Sequence, residues 1–575
     1  MKNSSKKNAN SIGKSIIVYI GSAWLFLEVT NFIVDRFALD SALVDTLLWL
    51  VIFGLPAFII YTVFSNPSSK KAIILQSINA ILAIVVIGYH LVDPSRLDPS
   101  KLRLIRFKNE QAAVASSIRS IAVLPIKNYS GDQSKDYLSA GIHDALISEI
   151  GKLGAIRVIS RTSTLPYANS DKTIPQIADE LKVDAFIEGS LLSTSPIVSM
   201  QIKLISPYPE ELQLFSETFD TELSDILRVY GDMTKRVAQE INVTLSDEET
   251  EQINRSRVVN PDAYEAYLKG KYSAGLLTQE GVQHAMAHYK RALEIDPEFA
   301  PPYAGIVGIW ATLKQMDFIS AEEANPAIKE NLQKAITLDS SSIEVLYYSA
   351  TTAIWTDFDW NRGRELFERI LKINPNHSEA LAFFGHFYWL QEEQEKADKQ
   401  LAEALRRDPG NPLIKVLIGA KMGMGAFNPD SAISILKPLQ KAIPTSPLIN
   451  LALLGSYHQT GQNELALEQL KIKINREADT TLNVWMDDVF LQGGLELVAQ
   501  RTAEILERER YGSISAQTMQ FLWFLAGNED KFLDWLEKGY IRRDPDMPYM
   551  KVAYYSMPFS DHPRYKEITR KLNLD

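Results

Sequence analysis

Cysteine is absent from all 575 residues, which excludes disulfides, thiolate metal sites and cysteine nucleophiles. Catalytic signatures are missing as well: no GxSxG, no kinase set and no nucleotide-binding motif occurs in the chain. Positive charge is scarce after the first segment. Residues 1–110 hold 12 Lys and Arg against 7 Asp and Glu, whereas residues 111–575 hold 48 against 64, a net of −16. A surface that acidic repels phosphate backbones, so no nucleic-acid partner is expected. Histidine numbers eight. His284 and His288 stand four apart in GVQHAMAHYK, but the glutamate of HExxH and a third ligand are lacking, so surface or packing roles are expected. His386, within FFGHFYW, reads as a packed helix residue. No catalytic residue, metal or cofactor is expected.

What is present begins with three apolar stretches, about 15–34, 44–64 and 72–92. Each approaches the ~20 residues that cross ~30 Å of hydrocarbon, and together they predict a membrane anchor over 1–110. Buried core helices are the alternative. Glu28 lies within the first stretch, either as an interhelical contact or near the interface beside Asp35 and Arg36. Lys2, Lys6, Lys7 and Lys14 precede that stretch and only Arg36 follows it before the second, which orients the amino terminus to the cytoplasm. Arg96, Lys101, Arg103, Arg106 and Lys108 pull the other way. The expected location is a multi-pass bacterial inner-membrane protein whose remainder is periplasmic.

From Ser120 the pattern alternates. Strand SIAVLPI, helix SKDYLSAGIHDALISEIGKLG, strand IRVISR, helix TIPQIADELK and strand DAFIEGSLLST are followed by two alternating strands and a closing helix. This predicts a small α/β domain with a mixed sheet over 111–250. The loop NYSGDQSKD precedes a helix, as a phosphate-binding loop would. It has one glycine and carries Asp132 where negative charge opposes phosphate, so Asp132 or Ser134 is expected to cap the helix. Asp136, Asp144 and Glu149 on that helix read as a solvated face.

The blocks SIAVLPIKNYSGDQSKDYLSAGIHDALISEI, RVISRTST, IADELKVDAFIEGSL and LFSETFDTELSDILRVYGDMTKRVAQEI together resemble the TolB amino-terminal-like domain. The resemblance spans roughly 120–243 and implies an interaction module without known catalytic residues. In such bacterial signalling proteins the domain often lies between a membrane segment and tetratricopeptide repeats; WLFLEVTNFIVDRF and IFGLPAFIIY also resemble that membrane segment. An output domain often stands in front. Here a short Lys/Asn/Ser tail occupies that place, which implies an output supplied by a partner.

The phrases ALEIDPEF, AITLDSSS, ILKINPNH and ALRRDPGN recur, with Asp296, Asp339, Asn374 and Asp408 spaced by 43, 35 and 34 residues. The last two spacings match the tetratricopeptide period. The first fits one repeat plus an insertion, MDFISAEEA. Within 378–411, Leu381, Phe384, Gly385, Tyr388, Ala397, Leu401, Ala404 and Pro409 occupy the repeat's signature positions. About six repeats are expected over 251–478, with helical repeats and a cap over 479–575. The fold class is therefore multidomain: transmembrane helices, a small α/β domain, then an all-α tetratricopeptide solenoid.

The function expected is a membrane-anchored interaction scaffold or sensor that binds a protein or peptide in the tetratricopeptide groove. Alternatives are a small-ligand receptor or enzyme with its site in the α/β domain, and a cytoplasm-facing assembly adaptor. Lys269 in the first repeat and Asn450 in the sixth are the expected groove contacts. The sequence leaves the oligomeric state open.

Overall fold

The computed structural model describes residues 16–25, 27–30, 42–63, 70–91 and 110–574, apart from 195–196, 256–257, 276–277, 316–317, 426–427, 443–445, 478–482 and 511–513. The chain divides into two compact units, Met1–Ala112 and Ala113–Asp575. The first contains helical residues 16–25 and 27–30 and the helices α1 (Ala42–Val63) and α2 (Lys70–Leu91). Asn79 Nδ2 on α2 donates to the Phe53 carbonyl of α1 at 2.9 Å.

This unit corrects the expectation of three transmembrane helices. Among the described residues no helix is long and apolar enough to cross a membrane. The membrane-embedded, multi-pass inner-membrane placement and the orientation built on it are withdrawn with the spans. The lysines used for that orientation, Lys2 to Lys14, lie outside the described residues.

The second unit begins with a mixed sheet. Its strands are β1 (Ser120–Val123), β2 (Lys127–Asn128), β3 (Arg157–Ile159), β4 (Ala185–Thr194), β5 (Ile197–Ser206) and β6 (Leu212–Glu222). Their order is β3-β1-β4-β5-β6, and β2 pairs with β4. The β1 pairs with β3 and β4 are parallel, and β4–β5 and β5–β6 are antiparallel. Alternation sets the faces: in β5, Val198, Met200, Ile202 and Leu204 are buried while their neighbours are less so. Helix α3 (Asp136–Ile150) buries Leu138, Ile142, Leu146 and Ile150, spaced by four, so one helical stripe covers one sheet face. Helix α4 (Ile174–Leu181), started by a Thr173/Gln176 capping box, covers the other face near β1 and β4. Helix α5 (Ile226–Glu240) returns to the α3 side, and α6 (Asp247–Asn254) leads into the array.

Twelve helices then form six hairpins of tetratricopeptide type: α7 (Pro261–Ala274) with α8 (Gln279–Ile295), α9 (Ala300–Gln315) with α10 (Ala321–Leu338), α11 (Ile343–Thr352) with α12 (Trp360–Ile373), α13 (Ser378–Leu390) with α14 (Gln394–Arg407), α15 (Pro412–Met424) with α16 (Pro429–Ala442), and α17 (Pro447–Gln459) with α18 (Asn463–Glu477). Gly385 shows why the signature needs a small residue: a Cβ there would stand 2.8 Å from Leu401 Cγ and 3.2 Å from the Ala397 carbonyl. Most of the extra length of the second repeat sits in its helices, 16 and 18 residues against 13 and 14 in the fourth.

The α/β domain and the array share one interior. Sheet residues, α3, α5 and the first repeat contribute to a single apolar cluster that includes Ile142, Tyr230, Tyr264 and Tyr289. Gly141 of α3 permits this approach, since a Cβ would lie 2.7 Å from Leu268 of α7. Polar contacts close the seam further along. Asn376, in the loop before α13, accepts from the Val158 amide of edge strand β3 at 3.0 Å and donates to the carbonyls of Gly151 and Ile156, each at 3.0 Å. Asp408, fully buried after α14, accepts from Ser163 Oγ at 2.5 Å, and that hydroxyl accepts from the Gly410 amide at 2.7 Å.

The carboxy-terminal residues do more than close the last repeat. After α19 (Met486–Arg510), α20 (Ala516–Leu525) and α21 (Glu529–Arg542), the chain runs back along the first helices of repeats three to six. Tyr549 lies against His386 and Trp389 of α13. The Tyr554 amide donates to the Met424 carbonyl at 2.8 Å, and its ring stacks on His458 of α17. Trp360 Nε1 donates to the Leu572 carbonyl, just beyond α22 (Pro563–Lys571), at 2.6 Å. Met547, Tyr549, Tyr565 and Leu572 belong to the array's own core. Beside this seam Lys314 is buried, donating to Asn325 Oδ1 at 3.0 Å and Thr356 Oγ1 at 2.9 Å. Burial pushes its ammonium down to about 8, against the opposing pull of Asp357, Asp544 and Asp546.

Asn376→Ala leaves a buried amide and two carbonyls without their partner, so it should cost roughly 2–4 kcal/mol; denaturant unfolding of the full chain measures it, with a lower midpoint expected. Lys314→Met tests the buried charge. Because the folded lysine titrates below its ordinary 10.5, the unfolded chain binds the proton more tightly, and wild-type stability rises as pH climbs from about 8 to 10.5. The variant should therefore match or exceed wild type at pH 7, by up to about 2 kcal/mol. Melting curves across pH should show that margin shrinking above pH 8.

Candidate functional site

A cleft of about 800 Å³ opens where the α/β domain meets the first repeat. Its walls come from the start of α3, the β4–β5 hairpin end, the end of β6, and α7, with His288 of α8 at the margin. The loop that precedes α3 turns through Gly131, at φ +72°. Asp132 accepts from the Ser134 amide at 2.9 Å, and Asn128 Nδ2 donates to Asp136 Oδ1 at 2.8 Å. Asp132 therefore caps the single 3-10 turn Gln133–Lys135 that leads into α3, whereas α3 itself, with Lys135 at its N-cap, starts without a side-chain cap.

Lys269 is a cleft residue. It rises from α7, donates to Glu265 Oε1 at 2.7 Å and places its ammonium 5.0 Å from the Tyr137 ring centre. Burial raises Glu265, but the hydrogen bond and charge of Lys269 outweigh it and hold the carboxyl below its ordinary value. Burial pushes the half-buried Tyr137 hydroxyl up, and Glu265 adds to this. His288 is held below its ordinary value by burial and then by Lys269. Lys135 donates to the Ser193 carbonyl at 3.3 Å. Tyr272 presents a ring that is 41% exposed.

Asn450 is elsewhere and does not meet the expectation of an exposed groove contact. It is 1% exposed and accepts from Gln440 Nε2 at 2.8 Å, so its amide holds α16 against α17. The other polar residues singled out in the sequence separate in the same way. Asp144 leaves the solvated face for an ion pair with Lys271 of α7, which also reaches Glu344 at 3.1 Å. Glu149 pairs with Lys152, and both side chains are largely shielded from solvent. His386 is fully buried and its Nε2 bonds the Leu417 carbonyl at 2.8 Å. Among the described residues no group of three metal-ligating side chains occurs.

Sequence reasoning missed Tyr137, Glu222, Asp262 and Tyr272 as cleft residues, because they come from segments far apart in the chain. It also read Asn374 and Asp408 as period markers only. One signal was available: ILKINPNH carries a second asparagine, Asn376, that the other repeat-ending phrases lack.

A family model described as "HilA/YgeH-like transcriptional regulator, second domain" matches residues 116–237, within the α/β domain. The chain is similar to "Putative adenylate cyclase 3" of Rhizobium meliloti (strain 1021), at 29% identity over 225 residues, 39% of this chain and 37% of the relative. It is also similar to "Transcriptional regulator HilA" of Salmonella typhimurium (strain LT2), at 20% identity over 295 residues, 50% of this chain and 51% of the relative. The chain thus spans about half or less of these relatives. Among solved structures, the human IFIT1 dimer with m7Gppp-AAAA matches at 16% identity and a TM-score of 0.33, covering 54% of this chain and 76% of that one.

Proposed function

We propose that the chain is a protein-interaction scaffold that takes its partner in the cleft between the α/β domain and the first repeat. The observation that carries this reading is the division of the array's inner face. Along repeats three to six that face is lined by the chain's own carboxy-terminal segment, with Tyr549, Tyr554 and Leu572 in contact. The cleft beside repeat one is open, holds about 800 Å³, and combines aromatic rings with charged groups, the mixture that anchors protein partners. A TolB-like interaction domain over 120–243 fits a surface to which both modules contribute. The acidic balance outside the first segment favours a protein partner over a nucleic acid.

Quantitative crosslinking to native extracts, paired with melting curves, tests the location. Lys269→Ala and Tyr272→Ala should both alter partner capture, while stability changes by only about 0.5–1 kcal/mol. Asn450→Ala should lower stability by roughly 1–2 kcal/mol and keep the same partners. Unchanged capture by both cleft variants would remove the cleft from the interaction.

A further inference from the structure

We propose that the cleft docks a partner segment bearing lysine or arginine side chains, rather than an acidic or phosphorylated one. This rests on the cleft being the partner site and adds the chemistry of the occupant. Charge complementarity is the argument. Four carboxylates line the cleft, Asp136, Glu222, Asp262 and Glu265, against two lysines, Lys135 and Lys269. Both lysines are engaged within the wall: Lys269 with Glu265 and the Tyr137 ring, Lys135 with the Ser193 carbonyl. Of the carboxylates, Glu265 is neutralised by Lys269 and Asp136 takes the Asn128 amide. Glu222 and Asp262 are exposed at the ends of β6 and α7, and no ion pair reaches either among the described residues. A segment entering the cleft therefore meets two uncompensated negative charges.

The tyrosines point the same way. The Tyr137 ring already holds one ammonium at 5.0 Å. Tyr272 offers a second, exposed face on which a guanidinium or ammonium would be favoured. An anionic segment would have to displace the internal partners of Lys135 and Lys269 before gaining anything. The cleft's volume falls within the range of pockets that bury a ligand of several side chains.

The test uses the full-length chain and two fluorescein-labelled Gly/Ser peptides of about twelve residues, one with arginines and one with glutamates at the same positions. Fluorescence anisotropy should show the arginine peptide binding and the glutamate peptide not. Asp262→Asn with Glu222→Gln should weaken the arginine peptide by about tenfold or more, without a shift in melting temperature. Glu322→Gln with Glu323→Gln removes the same charge from exposed positions on α10 and should change binding less than about twofold. Equal loss in both double variants would mean diffuse attraction to an acidic protein, and overturns the proposal. So would no binding of the arginine peptide, or equal binding of the glutamate peptide. If Tyr272→Ala abolishes partner capture while the arginine peptide ignores Asp262 and Glu222, only the occupant's charge is wrong. If Tyr272→Ala leaves capture intact, the cleft itself is not the partner site.

Discussion

Strand β3 is the edge of the sheet, and an open edge leaves backbone donors and acceptors without partners. Asn376 closes it. One side chain from a repeat loop accepts from Val158 and donates to carbonyls on the segment leading into β3. The array is thereby fixed to the sheet at repeats three and four, as the shared apolar cluster fixes it at repeat one. With two anchorage points so far apart in the array, the α/β domain and the solenoid cannot turn independently without breaking buried hydrogen bonds. The cleft owes its definite walls to that constraint.

The same rigidity changes where interaction is sought. A free tetratricopeptide array offers its whole inner face. Here Trp355, His386, Trp389 and His458, which would line that face, contact Tyr549 and Tyr554 instead. These are packed aromatic contacts within the array's core, with Tyr549 5% exposed, so the carboxy-terminal segment is a structural filling. The polar, open space is left at the other end. Its charge pattern, two lysines already engaged and two carboxylates not, gives it a chemical preference that the groove of an isolated array would not have.

Much of the fold was legible. The period of 34 and 35 residues, the small residues at Gly385, Ala397 and Ala404, and the two-residue alternation of β5 all report local geometry, which a single segment carries within itself. Asp132 was legible as a capping residue for the same reason, although it caps the 3-10 turn before α3 and not α3 itself. The three apolar stretches were misleading because apolar composition records only a preference to leave water. Whether a stretch becomes a helix both long and apolar enough to span is a property of the folded segment, and among the described residues none does. Most of the insertion in repeat two likewise lengthened two helices, since helix ends are set by packing as well as by sequence period.

The sequence by itself determined the mixed α/β domain, the stacked helical hairpins, the absence of thiol chemistry and the acidic balance. Each follows from composition or from a periodicity no longer than about one repeat. Only the tertiary structure decided that Lys269 faces a cleft, that Asn450 is buried between helices, and that Asp144 pairs with Lys271 instead of facing water. Those outcomes depend on contacts between residues up to more than a hundred positions apart. A single sequence fixes which face of a helix is apolar, and it leaves unstated which distant surface will come to cover it.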